Sequence, residues 1–270
     1  MPVRANTTLR ALRSGRCVIG AETALFHPSV PLVYADAGLD FVWIDLEHTL
    51  ADYERVAATI QNARLAGITP IVRVPELRPG LVRALLDNGA QGIVLPLVDD
   101  AAAVEELVSW CRFHPRGRRG VGSPLLANDF SDTPLAEHVG NSDGEVLVAI
   151  QVESLLAVER IDEIVAVEGL DVVVLGLADL STSCRVPGEV EHPQVVEAGE
   201  QVLQAAARRG VAGGAAGFYA RSYDEPPLAA WVQRGARFLQ LFGDLGVLAD
   251  AAHGMADDAR ALLAELQLGR

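Results

Sequence analysis

Eight short apolar runs alternate with longer amphipathic ones, and this alternation constrains the fold more than any other feature of the chain. The runs are CVIGAE (17–22), DFVWIDLEH (40–48), TPIVRVP (69–75), GIVLPLV (92–98), VLVAIQVE (146–153), DVVVLGLADL (171–180), VAGGAAGF (211–218) and RFLQLFGD (237–244). They are rich in Val, Ile and Leu and nearly continuous in hydrophobicity, as strands buried on both faces are. Between them, residues 53–67, 81–90, 101–114, 154–169, 193–210 and 226–236 read as helices. The first places Val56, Ile60 and Ala63 on one face and stops at Gly67. Strand and helix in alternation predict a parallel sheet. Eight such units predict a closed (β/α)₈ TIM barrel, with a doubly wound open sheet as the alternative. No domain boundary interrupts the pattern, so residues 1–270 read as a single barrel domain. The stretch from Asp244 onward reads as a long terminal helix suited to packing on a neighbour. Residues 114–145 are the least regular segment, and a loop that long is expected to be functional or disordered.

Composition narrows the functional classes. The net charge of −14 repels phosphates and argues against a nucleic-acid partner. No apolar run approaches the roughly 20 residues of a membrane span. The segment MPVRANTTLRALRSGR lacks the apolar core of a secretion signal. Cys17, Cys111 and Cys184 are scattered, without metal-site spacing, and fit a reducing compartment. The expectation is a cytoplasmic protein with small-molecule partners. The chain also contains no lysine: every one of its 22 Lys+Arg positions is arginine. Schiff-base catalysis and covalent pyridoxal phosphate both need a lysine amine, and the Walker loop needs its lysine, so all three are excluded.

Ionisable residues gather at one end of the expected strands, the end where barrels carry out catalysis. Strand two ends in Asp45, Glu47 and His48. Strand three ends in Arg73, strand five in Gln151 and Glu153, and strand six in Asp179 followed by Ser181. Taken singly, each has an ordinary structural explanation, such as a turn, a helix cap or an ion pair. Their joint placement favours a pocket. Glu153 and Asp179 offer hard oxygen donors from adjacent strands and suit an octahedral Mg²⁺ or Mn²⁺ completed by water and substrate. Such an ion could bind an α-keto acid and act as the electron sink that a lysine-free site requires. His48 is the natural base, because imidazole titrates near neutrality; Asp45 or Asp87 would hold its tautomer. Arg73 would neutralise oxyanion charge.

The stretches FVWIDLEHT, IVRVP, LLDNGAQGIVLPLVDDAAAVEELV, RGVGS, IQVES and GLADLS resemble, in order and spacing, the HpcH/HpaI family of metal-dependent class II pyruvate aldolases. The similarity runs from about Gly20 to Leu248. The resemblance implies a (β/α)₈ barrel of the phosphoenolpyruvate/pyruvate type, usually a hexamer whose last helix is exchanged between subunits; a trimer is the other homo-oligomer considered. It implies a divalent metal on Glu153 and Asp179, with Co²⁺ as a further possibility, and His48 as general base oriented by Asp87, with Asp45 nearby. It implies Arg73 on the keto oxygen, Gln151 on pyruvate, and backbone amides around Ala178 and Asp179 on the carboxylate. The reaction would be reversible aldol cleavage to pyruvate and an aldehyde. Three positions depart from the family pattern: Leu177 in place of a proline, Ala127 or its neighbours in place of an arginine, and Glu22 in place of a tryptophan near the acceptor. Glu22 would then disfavour acidic acceptors. The alternatives are decarboxylation of an oxaloacetate-like acid, addition of the same enolate to another acceptor, or a barrel that only binds.

Overall fold

The computed structural model describes residues 4–122, 127, 133–217 and 226–266. All eight expected strands are present: β1 (Val18–Thr23), β2 (Phe41–Asp45), β3 (Thr69–Arg73), β4 (Gly92–Leu95), β5 (Leu147–Val152), β6 (Val172–Gly176), β7 (Ala212–Ala216) and β8 (Phe238–Gly243). They pair in parallel, each with its sequence neighbour, and β8 closes on β1. The helices in chain order are α1 (Thr7–Arg13), α2 (Val30–Asp36), α3 (Tyr53–Ala66), α4 (Pro79–Asp87), α5 (Ala101–Cys111), α6 (Leu135–Ser142), α7 (Leu155–Glu159), α8 (Ile161–Ile164), α9 (Leu177–Ser183), α10 (Pro193–Arg209), α11 (Pro226–Gln233) and α12 (Asp244–Glu265). The fold is the (β/α)₈ barrel, not the open sheet.

Local chemistry explains the helix ends. The Asp52 carboxylate accepts from the Arg55 amide at the start of α3, and Gly67 ends that helix at φ 81°. Pro193 opens α10 and Gly210 closes it at φ 71°. Two apolar layers follow from strand alternation. Phe41, Trp43, Ile71, Val94, Leu147, Val172, Val174 and Phe238 fill the barrel. The opposite strand faces pack against the helices. Phe41 and Phe238 stack with centroids 4.3 Å apart. Gly20 makes room for them, since a Cβ there would lie 2.4 Å from the Phe41 ring.

Several expectations need correction. The run expected as strand through residue 180 leaves the sheet at Gly176, and Leu177–Ser183 is the helix α9. The sheet pairing of β6 with β7 stops at Gly176, so the apolar residues beyond it are buried by a helix instead. The helix expected over 154–169 is two short helices, α7 and α8, meeting at Arg160. The segment 114–145 contains α6; its residues 123–126 and 128–132 lie outside the described residues. Helix α1 lies outside the alternating pattern. It covers the N-terminal end of the barrel: Leu9 and Ala11 join the interior layer, and Thr8 Oγ1 donates to Thr69 Oγ1 at 2.8 Å.

Helix α12 buries only Asp244, while Leu245, Val247, Leu248, Met255, Leu262 and Leu263 are exposed. No described helix is long and apolar enough to cross a membrane.

Candidate active site

The polar cluster expected from the sequence assembles at the C-terminal mouth of the barrel, with Arg73 at its centre. Interior-facing positions on neighbouring parallel strands lie side by side, and Asp45 on β2 is in register with Arg73 on β3. Arg73 Nε donates to Asp45 Oδ1 at 2.8 Å, and Nη1 donates to Gln151 Oε1 at 3.2 Å. Nη1 also lies 2.9 Å from Glu47 Oε2, as an ion pair without hydrogen-bond geometry. The guanidinium carbon stands 5.5 Å from the Trp43 ring centroid. Burial opposes the Arg73 charge, but Asp45, Glu47 and Glu22 outweigh it and raise the pKa. Arg73 is therefore a fixed cation.

Asp45 shapes the turn after β2. Its Oδ1 accepts the Glu47 amide at 3.0 Å and its Oδ2 the His48 amide at 3.3 Å, while Thr49 Oγ1 donates to its carbonyl. This side-chain-to-backbone pattern is what lets an Asp end a strand in a tight turn. Asp45 thus meets His48 through the backbone amide, not through the ring. The carboxylate beside the ring is that of Glu47, with Oε2 3.6 Å from His48 Nε2. The signal for this pair is the adjacency of Glu47 and His48 in the chain, but adjacency alone does not separate a ring partner from a solvated acid.

Asp87 does not meet His48 within one chain. It ends α4, at the barrel end opposite His48, where Arg119 Nη2 donates to its Oδ1 at 2.9 Å. Arg118 stacks on Trp110 on the outer surface. Ala127 lies by the Arg64 guanidinium, which donates to its carbonyl. Neither Arg118 nor Arg119 reaches the mouth of its own barrel.

Glu153 is 5% exposed and held on both oxygens: Gln151 Nε2 donates to Oε1 at 2.7 Å and the Leu97 amide to Oε2 at 3.1 Å. Gly176 on β6 leaves the space it occupies, because a Cβ there would lie 2.4 Å from Glu153 Oε1. Burial first, and then the charges of Glu47 and Asp179, push the Glu153 carboxyl up to about 7; the Leu97 amide and Arg73 pull against them. Burial likewise raises the Glu47 carboxyl, with Arg73 and His48 opposing it and Asp45 and Asp179 adding to it. Asp179 is exposed on the first turn of α9, with Ala178 exposed beside it. Glu22 faces the mouth: its register partner is Trp43 of the interior layer, and its charge acts on Arg73.

The crowd of acids fits a divalent cation. Glu47, Glu153 and Asp179 repel one another, Glu47 Oε2 has no hydrogen-bond donor among the described residues, and Arg73 alone cannot balance them. Among the described residues no three His, Cys, Asp or Glu side chains form a closed metal cage. Two carboxylates with places left for water and substrate suit Mg²⁺-like ions. A cavity of about 700 Å³ lies elsewhere, at the N-terminal end of the barrel, lined by Arg13, Arg112, Asp143 and Asp171 among others. Its Arg112 is occupied by the Val146 and Gly169 carbonyls, so its charges serve the fold.

The model of the HpcH/HpaI aldolase/citrate lyase family matches residues 23–251. The chain belongs to that family. A hydroxypyruvate/pyruvate aldolase of Roseovarius nubinhibens is 34% identical over 253 residues, 93% of this chain and 96% of the relative. A 5-keto-4-deoxy-D-glucarate aldolase of Shigella boydii is 29% identical over 257 residues, 95% and 97% of the two chains. The crystal structure of an HpcH/HpaI aldolase from Desulfitobacterium hafniense superposes with a TM-score of 0.88 at 34% identity, covering 93% of this chain and 95% of that one. The chain is thus an aldolase of the class II type, a divalent-metal-dependent carbon–carbon lyase acting on a keto acid and an aldehyde. These relatives favour the aldol reaction over decarboxylation or another acceptor chemistry.

Proposed function

We propose that this aldolase joins pyruvate or a close α-keto acid to an aldehyde, and reverses that reaction, with Glu153 and Asp179 holding Mg²⁺ or Mn²⁺. The observation that carries this reading is the buried Gln151–Glu153–Arg73 network beside a crowd of acids at the barrel mouth. When bound, the metal supplies Lewis-acid charge for the keto acid's oxygens. Arg73 offsets negative charge on the keto oxygen as it becomes an enolate oxygen; among the described residues no partner takes its Nη2. Gln151 and the amides around Ala178 and Asp179 bind the keto acid.

In the cleavage direction His48 takes the proton from the hydroxyl of the aldol. The carbon–carbon bond breaks, the aldehyde leaves, and the bond's electron pair passes to the pyruvate enolate. The imidazolium then returns the proton to the methylene carbon. Glu47 stabilises the imidazolium that forms. Asp87 serves His48 only if another subunit supplies it. The apolar face of α12 supports a homo-oligomer in which that helix packs on a second copy. Cys17, Cys111 and Cys184 are all free, which fits a cytoplasmic setting.

The test is metal-dependent proton exchange at the pyruvate methyl group, which requires no knowledge of the aldehyde. Glu153→Ala and Asp179→Ala are expected to abolish exchange and weaken divalent binding. Full activity in metal-free protein would sink this reading.

A further inference from the structure

We propose that Leu97 is a positioning residue whose left-handed backbone turns its amide onto Glu153 and so sets that carboxylate for the metal. The inference rests on the reading of Glu153 as a metal ligand. Leu97 stands two residues past β4 with φ 53°, a conformation that residues bearing a Cβ seldom adopt. Its side chain is 67% exposed, so burial does not explain a leucine there. An unfavourable backbone that persists needs contacts that hold it, and such residues cluster at functional sites.

The contacts run to the segment that carries Glu153. The Leu97 amide donates to Glu153 Oε2 at 3.1 Å, the Val98 amide donates to the Gln151 carbonyl at 3.4 Å, and Ser154 Oγ donates to Asp99. The turn after β4 is thereby laced onto residues 151–154 of the next strand and its helix cap. Pro96 has no amide hydrogen, so Leu97 carries the first amide available beyond Leu95. With Gln151 Nε2 on Oε1 and the Leu97 amide on Oε2, each Glu153 oxygen keeps a lone pair for a cation, and the rotation of the carboxylate is fixed. Groups that orient a metal ligand in this way influence the site without touching the ion.

Three variants of the full chain test the idea by calorimetric Mn²⁺ titration. Leu97→Gly keeps the amide and adopts the left-handed region without strain, so its Mn²⁺ affinity is expected to stay within about twofold of wild type. Leu97→Val is expected to leave that region and weaken Mn²⁺ binding by about 10–100-fold, the usual range for such orienting groups. A role in stability alone would move melting temperatures and leave affinity untouched. Unchanged affinity in Leu97→Val, or an equal loss in Leu97→Gly, overturns the proposal. If Leu97→Val does not fold, amide exchange decides. The Leu97 amide is expected to be protected in wild type and to exchange at least tenfold faster in Glu153→Ala; equal exchange overturns the proposal. Glu153→Ala that binds Mn²⁺ as wild type does would instead sink the metal reading, separately from the Leu97 contact.

Discussion

His48 Nε2 and Glu47 Oε2 lie 3.6 Å apart, so the base proposed for this aldolase has its acid partner in the adjacent residue. The Glu47 oxygen is shared with Arg73 Nη1 at 2.9 Å, which ties the His48 side chain to the cation proposed for the keto oxygen. Removal of the imidazole is expected to preserve metal and pyruvate binding while slowing pyruvate methyl exchange by about 10²–10⁴-fold. Glu47→Gln should slow exchange less than His48→Ala does. Exchange rates in deuterated buffer measure both, and an unchanged rate in His48→Ala would assign the base elsewhere.

The raised Glu153 carboxyl predicts a pH dependence of definite sign. Its value of about 7 in the fold exceeds the ordinary 4.5, so the metal-free fold binds this proton more tightly than the unfolded chain does. The contribution to stability is therefore full below about pH 4.5 and is lost as pH rises through about 7. A metal must displace the same proton, so divalent affinity should fall about fivefold between pH 7 and pH 6 and approach tenfold per unit at lower pH. Calorimetry at pH 6 and 7, with Glu153→Gln as control, reads this directly. A wild-type affinity that does not change across that range contradicts it.

Gly176 makes a steric prediction. Its Cβ in Gly176→Ala would meet Glu153 Oε1 at 2.4 Å, so the carboxylate must move off its Gln151 and Leu97 donors. The expected cost is about 1–3 kcal/mol of stability, as for other overpacked sites, together with weakened Mn²⁺ binding. Denaturant melts and calorimetry on the same variant measure both; a variant matching wild type in each would mean that the carboxylate position is not set by this space.

Glu22 is expected to bear on the choice of aldehyde. It faces the barrel mouth, and its charge reaches Arg73. An anionic aldehyde tail beside it is disfavoured by about 1 kcal/mol, roughly fivefold in relative kcat/KM, for a solvated like-charge contact. Glu22→Gln should narrow the preference for a neutral hydroxyaldehyde over succinic semialdehyde and leave pyruvate exchange unchanged. A wild-type preference for the acidic aldehyde would reverse this assignment.

The sequence by itself determined the alternation of eight strands with helices and which residues end those strands; the pairing of β8 with β1 decided the closed barrel over the open sheet. The apolar runs, rich in Val, Ile and Leu except for the Gly- and Ala-rich seventh, suit a sheet buried on both faces, and the residues at their C-terminal ends, Asp45, Arg73, Gln151 and Glu153, converge because parallel strands bring equivalent ends together. The absence of lysine removes imine chemistry whatever the fold, because no other side chain here carries the amine it needs. Tertiary structure alone decided the partners. Asp87 pairs with Arg119 at the far end of the barrel because α4 runs back against its strands, a direction that motif spacing does not reveal. Asp179 sits on a helix turn, not a strand, because β6 ends its pairing at Gly176. The Leu97 amide reaches Glu153 across 56 residues of chain through a left-handed backbone that no side-chain pattern encodes. Side-chain periodicity reports which face is buried; which donor meets which acceptor depends on backbone direction and on register between distant strands.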